Sequence, residues 1–403
     1  MSELAAQPPR SAFPWYLTGT SFWLAGMSLQ GFLITWLLVG ELGAPADQVG
    51  LGRALMQIPG IAILVIGGIL ADRSDMRRLL LLLHLLIALP PLLLALLAGV
   101  SMLSVWLVIG FGICLSTLQA ISDPARQSML NRVSLIDLQR TVTITSLVSS
   151  LVGLGAVWVG GQLDQIGITT VLVLQALLFA AGGWAVYRLP ALPVQTDPGR
   201  PDLLGGIKAM LRLPLIRELI GLSFLGSLFN AGAYVVVLPY IVTDVYGGDA
   251  SFLASVVMLM TAGGIAANLL LLRLMPLRRP GRAFLLLQIA PMLLLGGMLL
   301  TPAQTVFMVL IACWGLYMGA ATTLVRSIVQ EQAPDASRAQ ILTVLTLSFM
   351  LASPISAWAL GLLVSWTSPL ASLTVGIVTA ALILVIGITL RRIWSYTSSA
   401  SSA

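Results

Sequence analysis

Long apolar stretches dominate the chain, and short segments that are charged or rich in Pro and Gly separate them. A helix that crosses the hydrocarbon core of a bilayer needs about 20 mainly apolar residues. Twelve stretches meet that requirement, so the pattern predicts an all-α integral membrane protein with twelve transmembrane helices. The predicted spans are 14–39, 48–71, 78–99, 102–125, 138–163, 167–187, 215–243, 251–274, 282–300, 304–328, 338–365 and 369–391.

The cations follow the even-numbered spans almost without exception. Arginine or lysine comes after spans two, four, six, eight, ten and twelve, whereas the intervening loops contain acidic residues and no cation. Arg10 precedes span one and so lies on the same predicted side, and Arg53 alone departs from this pattern. Cytoplasmic loops carry an excess of Lys and Arg, so both termini are expected in the cytoplasm. The net charge of +6 is then a signal of topology, and no nucleic-acid partner is expected.

Composition limits the chemistry that the chain can support. Its 403 residues are 58% hydrophobic and 9% charged, whereas a soluble domain has about 25% charged residues, so the lipid bilayer is its main surroundings. The single histidine, His84, and two cysteines within apolar runs give no disulfide framework and no metal site. No cofactor is expected. With no cluster of buried carboxylates, a membrane enzyme is not favoured.

One long break divides the chain into two halves. Residues 189–213 begin with a segment rich in Pro, Gly and Asp, which predicts a linker, and continue as a basic amphipathic stretch. This stretch is expected to form a surface helix on the cytoplasmic side. The predicted domains are therefore a six-helix bundle at 1–188, a second at 214–396, and a disordered tail at 397–403. Two bundles related by pseudo-symmetry are a known transporter plan.

The loop between spans two and three reads GGILADRSDMRR and is the most distinctive motif. It resembles the signature loop of the major facilitator superfamily, although Asp75 replaces the usual second glycine. PARQ at 124–127 and LPYIVTDVYGG at 238–248 resemble the branch of bacterial siderophore and drug exporters. The resemblance implies the major facilitator fold, a monomer in the bacterial inner membrane, and alternating access to a small-molecule substrate. The residues that match in the loop are Gly68, Leu70, Ala71, Asp72, Arg73, Arg77 and Arg78.

The same resemblance implies a cytoplasmic gate. In the family, the aspartate that matches Asp72 faces the start of span eleven in the other half, where helix N–H groups can stabilise a carboxylate. Cations of the loop are then expected to pair with Asp123 at the inner end of span four. Alternatively, the same charges only orient the loop and contact lipid headgroups. The predicted gate consists of Asp72, Arg73, Arg77, Arg78, Asp123 and Arg126.

Polar residues within the spans are candidates for a substrate cavity. Narrow polar stripes, such as Gln119 with Asp123 in span four, face either an aqueous cavity or a close helix neighbour. Arg53 either meets an anionic group of the substrate or reaches the outer headgroups. The candidates are Gln30, Arg53, Gln57, Gln119, Asn230, Tyr234, Trp314 and Tyr317.

The driving force is less clearly indicated than the fold. Span one has no acidic residue, and Ala156 and Val157 stand where the exporter motif of span five has Gly and Pro. Asp123 is the candidate for proton coupling. Proton-coupled efflux of a small amphipathic molecule, drug or siderophore is the first interpretation. An importer or facilitator of a small organic solute or anion without proton antiport is the alternative, and a channel is less favoured because the two halves and the gate suit a carrier.

Overall fold

The computed structural model describes residues 12–66, 76–133, 138–189 and 203–398, and all regular structure within these ranges is helical. Three short helices accompany the long ones: Leu163–Ile166, Leu203–Arg212 and Arg392–Ser395. The long helices are α1 (Ala12–Glu41), α2 (Ala46–Ile66), α3 (Met76–Gly99), α4 (Val105–Val133), α5 (Leu138–Gly161), α6 (Ile168–Tyr187), α7 (Pro214–Val245), α8 (Ala250–Leu274), α9 (Pro280–Leu299), α10 (Gln304–Gln332), α11 (Arg338–Trp366) and α12 (Pro369–Thr389).

Among the described residues, ten helices are long and apolar enough to cross a membrane. The remaining two, α2 and α5, stand at predicted spans, but they are not among the ten. The all-helical membrane fold is confirmed, whereas the count of twelve spans and the side of the termini stay predictions. Large apolar side chains cover the outer faces: Leu272 and Leu300, for example, are 73% and 80% exposed. Such a surface is suited to lipid.

The packing divides the chain into two units. The first comprises Met1–Leu42 and Leu55–Arg200, and the second comprises Gly43–Ala54 and Pro201–Ala403. The first residues of α2 therefore belong with the second unit. A close approach explains this, because a Cβ added at Gly50 would lie 2.4 Å from the carbonyl oxygen of Ala357 in α11.

The first unit is built around Trp23 of α1. The indole ring packs edge-on against His84 of α3 and Phe179 of α6, with centroid distances of 4.9 and 5.6 Å. His84 is fully buried, and its Nδ1 donates a hydrogen bond to the carbonyl of Leu80 at 2.7 Å. Gly26 leaves room for the Phe179 ring, which would otherwise lie 2.5 Å from a Cβ.

Small residues form the contact between α8 and α10 in the second unit. A Cβ at Gly315 would lie 2.0 Å from the carbonyl oxygen of Met260, and one at Gly263 would lie 2.2 Å from that of Ala312. Helices in membranes associate closely where such residues allow the backbones to approach.

The segment after α12 folds back onto helices of its own unit. Arg392 forms an ion pair with Glu218 of α7, and Arg282 donates to the carbonyl of Trp394 at 2.9 Å. Ser398 is buried, and its hydroxyl donates to Glu331 at 2.8 Å. Ser398 lies within the tail predicted at 397–403, whose residues from 399 onward fall outside the described ranges.

Candidate functional site

A cavity inside the second unit is the main candidate for a substrate site. It is small, with a cavity volume of about 80 Å³. Five helices contribute to its wall, α7, α9, α10, α11 and α12. Its lining residues are Leu222, Ser223, Gly226, Ser227, Asn230, Phe284, Gln288, Tyr317, Met318, Ala321, Thr322, Val325, Phe349 and Ile383.

Two amide–aromatic pairs define the polar part of the cavity. The Tyr317 hydroxyl donates to Gln288 Oε1 at 2.8 Å, and Trp314 Nε1–H donates to Asn230 Oδ1 at 3.1 Å. The amide nitrogens of the same side chains donate to their own helices, Asn230 to Gly226 at 2.8 Å and Gln288 to Phe284 at 3.3 Å. Each amide is thereby fixed at both ends.

The local sequence explains why these four side chains meet. Trp314 and Tyr317 are three residues apart on α10 and lie on neighbouring parts of one face. Gln288 stands at the point where the ninth helix is interrupted, between Pro280–Leu287 and Ile289–Leu299. In hydrocarbon a buried polar group must find a partner inside the protein, and Tyr317 supplies that partner.

The sequence analysis found three of these four residues and missed Gln288. Asn230, Trp314 and Tyr317 are predicted cavity residues, and the structure brings them together. Gln288 is 1% exposed and is flanked by apolar residues in the stretch FLLLQIAPM. An isolated amide in such a stretch is the signal that could have found it, because a buried polar residue in a membrane helix marks a functional or bonded position.

None of the residues that line this cavity is an acid or a base with a charged side chain. The hydroxyls of Ser223 and Ser227 donate to the carbonyls of Leu219 and Ser223 in their own helix, at 2.7 and 2.9 Å. Thr322 likewise donates to Met318 at 2.8 Å. Their oxygens keep lone pairs that can accept hydrogen bonds. The wall is therefore polar without being charged.

The other predicted cavity residues lie in both units. Arg53 belongs to the second unit, where it is half-buried and interacts electrostatically with Tyr234 of α7. In the first unit Gln30 is buried, whereas Gln57 and Gln119 are half-buried. A shared site for these residues stays a prediction.

The predicted gate is described only in part. Asp72 and Arg73 lie outside the described residues. Arg77 donates to the carbonyl of Tyr187 at 2.5 Å, which ties the start of α3 to the end of α6. Arg78 and Asp123 are both exposed. The gate as a whole therefore stays a prediction.

Arg126 is a buried cation with a defined set of neighbours. Its Nε and Nη2 donate to the hydroxyl of Ser122 at 3.0 and 2.9 Å, and its guanidinium carbon lies 3.8 Å from the centroid of the Trp23 ring. The Tyr16 hydroxyl donates to its backbone carbonyl at 3.0 Å. A desolvated cation–π contact contributes about 2 kcal/mol. Arg126 thus joins α4 to α1, and its charge also acts on Asp123.

An apolar groove in the first unit differs in character from the cavity. Its volume is about 400 Å³. The hydroxyls of Thr18 and Ser21 donate to the carbonyls of Pro14 and Leu17 in their own helix, at 2.9 and 2.7 Å. The groove therefore offers mainly apolar contact. Its lining residues are Leu17, Thr18, Ser21, Phe22, Ala25, Val148, Val152 and Leu178.

Comparison with known proteins identifies relatives across nearly the whole chain. The sequence profile of the Major Facilitator Superfamily matches residues 17–357. The enterobactin exporters EntS of Shigella boydii serotype 18 and Escherichia coli O157:H7 are each 26% identical over 369 residues, which cover 86% of this chain and 84% of the relative.

Two solved structures are similar in fold. The nucleoside transporter NupG has a TM-score of 0.73 at 15% identity, with coverage of 96% of this chain and 99% of its own. A bacterial homologue of the iron transporter ferroportin, solved in an inward-facing state, has a TM-score of 0.72 at 15% identity, with coverage of 97% and 100%.

Proposed function

The chain belongs to the Major Facilitator Superfamily of transporters, and from that premise we propose that it exports a small amphipathic molecule, a drug or siderophore, in exchange for protons. Its membership also makes it a non-enzymatic membrane protein. The observation that supports export most directly is the similarity to enterobactin exporters over 86% of the chain. At 26% identity the substrate does not follow from the relative, so the class of substrate rests on the site.

The cavity of the second unit supports an amphipathic substrate. Asn230, Gln288 and Tyr317 offer hydrogen bonds, whereas Phe284 and Phe349 offer apolar contact. Ligand pockets commonly combine an apolar wall with a few fixed polar groups that orient the ligand. We place part of the substrate here, and we assign the predicted residues of the first unit, Gln30, Gln57 and Gln119, to the rest of the transport path.

Alternating access requires a gate, and we propose that the charged loop before α3 provides it. Asp72 would bind the N-terminal end of α11 in one state and leave it in the other, with Asp123 as the partner of the loop cations. Two residues of the proposed gate, Arg77 and Arg126, are held by contacts inside the first unit, at Tyr187 and at Ser122.

Asp123 is the residue that we propose for proton coupling. It is exposed at the inner end of α4, and the charge of Arg126 acts on it. An aqueous carboxylate beside a fixed cation can take up and release a proton as its surroundings change. Protonation would weaken its pairing with the loop cations and so favour one state of the gate.

Flux measured in proteoliposomes tests this function. The purified full chain is reconstituted, a pH gradient is imposed, and siderophores, dyes and organic acids are screened as substrates. We expect saturable transport that collapses when an ionophore dissipates the gradient. Asp123→Asn should abolish the dependence on pH, whereas Asp164→Asn, at the loop before α6, should leave it intact. Transport that continues unchanged without a gradient would refute the antiport.

The alternative is an importer or facilitator that needs no proton. Ala156 and Val157 favour it, because they replace the glycine and proline of the exporter motif in the fifth span. Arg53 then serves an organic anion. This function predicts counterflow of a labelled organic acid in the absence of any pH gradient. Arg53→Gln should weaken that counterflow. Arg278→Gln, in the loop after α8, is the control and should leave it unchanged.

A further inference from the structure

The second unit's cavity has an unusual combination of buried hydrogen-bonding groups and no charged side chain. Of the residues that line it, Asn230, Gln288 and Tyr317 supply the polar atoms that are fixed by bonds to one another or to their helices. Burying an ion costs several kcal/mol unless a counter-charge offsets it. No residue of the wall can provide that counter-charge, so an ionised ligand is disfavoured.

The unused valences of the amides specify what a ligand must offer. An amide oxygen accepts two hydrogen bonds and an amide nitrogen donates two. Tyr317 uses one lone pair of Gln288 Oε1, and Trp314 uses one of Asn230 Oδ1. Asn230 also forms a side-chain hydrogen bond with Tyr317. By this count one lone pair remains on each amide oxygen and one N–H on the Gln288 nitrogen. A ligand that both donates and accepts hydrogen bonds complements these groups.

The remaining wall fits a flat apolar body. Phe284 and Phe349 present aromatic faces, and Met318 adds a flexible thioether that adapts to irregular shapes. The cavity volume of about 80 Å³ admits at most one small ring rather than a large molecule. A substrate larger than one ring would insert only one of its rings.

We propose that this cavity binds an uncharged ring that bears both a hydrogen-bond donor and an acceptor, and that it discriminates against anions and cations of the same size. The proposal rests on the function proposed above, since it names the class of substrate that the transporter accepts. Nothing in it requires a particular direction of transport or a particular driving ion.

Equilibrium binding of matched probes to the purified full chain tests the proposal. Benzamide is neutral and both donates and accepts, benzoate is an anion, benzylamine is a cation, and toluene has no polar group. Binding is measured by ligand-observed NMR in detergent, with an empty-micelle reference that removes partitioning into the detergent. We expect benzamide to bind at least about tenfold more tightly than the other three, equivalent to 1.4 kcal/mol.

Variants then place the binding in this cavity. Tyr317→Phe removes the hydroxyl that orients Gln288 and should weaken benzamide by about 3–10-fold, the value of one hydrogen bond. Ala321→Phe fills the space and should abolish binding. Tyr246→Phe is the matched control, because its hydroxyl also donates at 2.8 Å, to Pro302, outside the cavity; it should leave binding unchanged.

Two results would overturn the proposal. One is benzoate or benzylamine binding as tightly as benzamide, a comparison that needs no variant and so holds even where a substitution prevents folding. The other is unchanged benzamide binding in both Tyr317→Phe and Ala321→Phe. Binding is measured at equilibrium without a gradient, so these results are independent of the flux assay. Saturable proton-coupled flux without benzamide binding would refute only the proposal that this cavity binds an uncharged ring.

Discussion

Substituting alanine for Gly315 tests the close contact between α8 and α10. The added Cβ would lie 2.0 Å from the carbonyl oxygen of Met260, whereas ordinary contact begins at 3.4 Å. The two helices must therefore separate by about 1.4 Å at this point, unless the backbone distorts. The obstacle is backbone rather than a flexible side chain, so it cannot rotate away.

The cost of this separation follows from overpacking. Inserting a methyl group into a well-packed interior typically costs 1–3 kcal/mol. In addition, the α10 face that carries Tyr317 must move, and a shift of about 1.4 Å is enough to break its 2.8 Å bond to Gln288. We therefore expect Gly315→Ala to destabilise the second unit by about 1–3 kcal/mol and to weaken benzamide binding.

Thermal unfolding of the purified protein, followed by tryptophan fluorescence, measures the effect. The matched control is Gly221→Ala, because Gly221 in α7 has open space where its Cβ would lie. In that position alanine should be neutral or stabilising by up to about 1 kcal/mol, its advantage over glycine in a helix. A melting temperature of Gly315→Ala equal to or above that of Gly221→Ala would refute the packing argument.

Three further predictions concern the inner ends of the helices. Glu218→Gln should lower the free energy of unfolding by about 1 kcal/mol or less, because its partner Arg392 is half exposed. It should also speed tryptic cleavage at Arg392, and cleavage at the rate of the parent protein would contradict the ion pair. Burial and the nearby Glu331 raise the pKa of Tyr396 to about 12. The stability linked to its neutral phenol is therefore complete below pH 10 and is lost as the pH rises towards 12. The ultraviolet titration of Tyr396→Phe should lack one step near pH 12, and a curve identical to that of the parent protein would refute this. Asp72→Asn should shift the protein towards the inward-open state, detected by labelling of cysteines placed in the inner cavity, and unchanged labelling would count against the gate.

The hydrophobic pattern was sufficient to predict where the helices lie. Each long helix overlaps one of the predicted spans, because the length of an apolar stretch is set by the thickness of the bilayer and not by its neighbours. The interruption of the ninth helix at Gln288 was not predicted, since the flanking residues continue the apolar pattern on both sides. Local composition gives the extent of a span but not its irregularities.

Side-chain partners were harder to predict than spans. Gly315 of α10 packs on α8, whereas Tyr317, two residues further along, lines the cavity. Residues two positions apart point in different directions on a helix, but which direction meets a neighbour depends on the tertiary arrangement. Likewise, the attachment of Gly43–Ala54 to the second unit depends on the contact of Gly50 with α11.

The proposed proton site and the proposed substrate cavity lie in different units, and this constrains any coupling mechanism. Asp123, the proposed proton site, lies on α4 in the first unit, whereas Asn230, Gln288 and Tyr317 lie in the second. A proton and a neutral substrate therefore do not compete for the same atoms. Coupling has to act through conformation: both ligands must differ in their affinity for the same two states. Alternating access meets this requirement. A gate that responds to the protonation of Asp123 would change the side of the membrane to which the cavity opens, without altering the cavity's own hydrogen bonds.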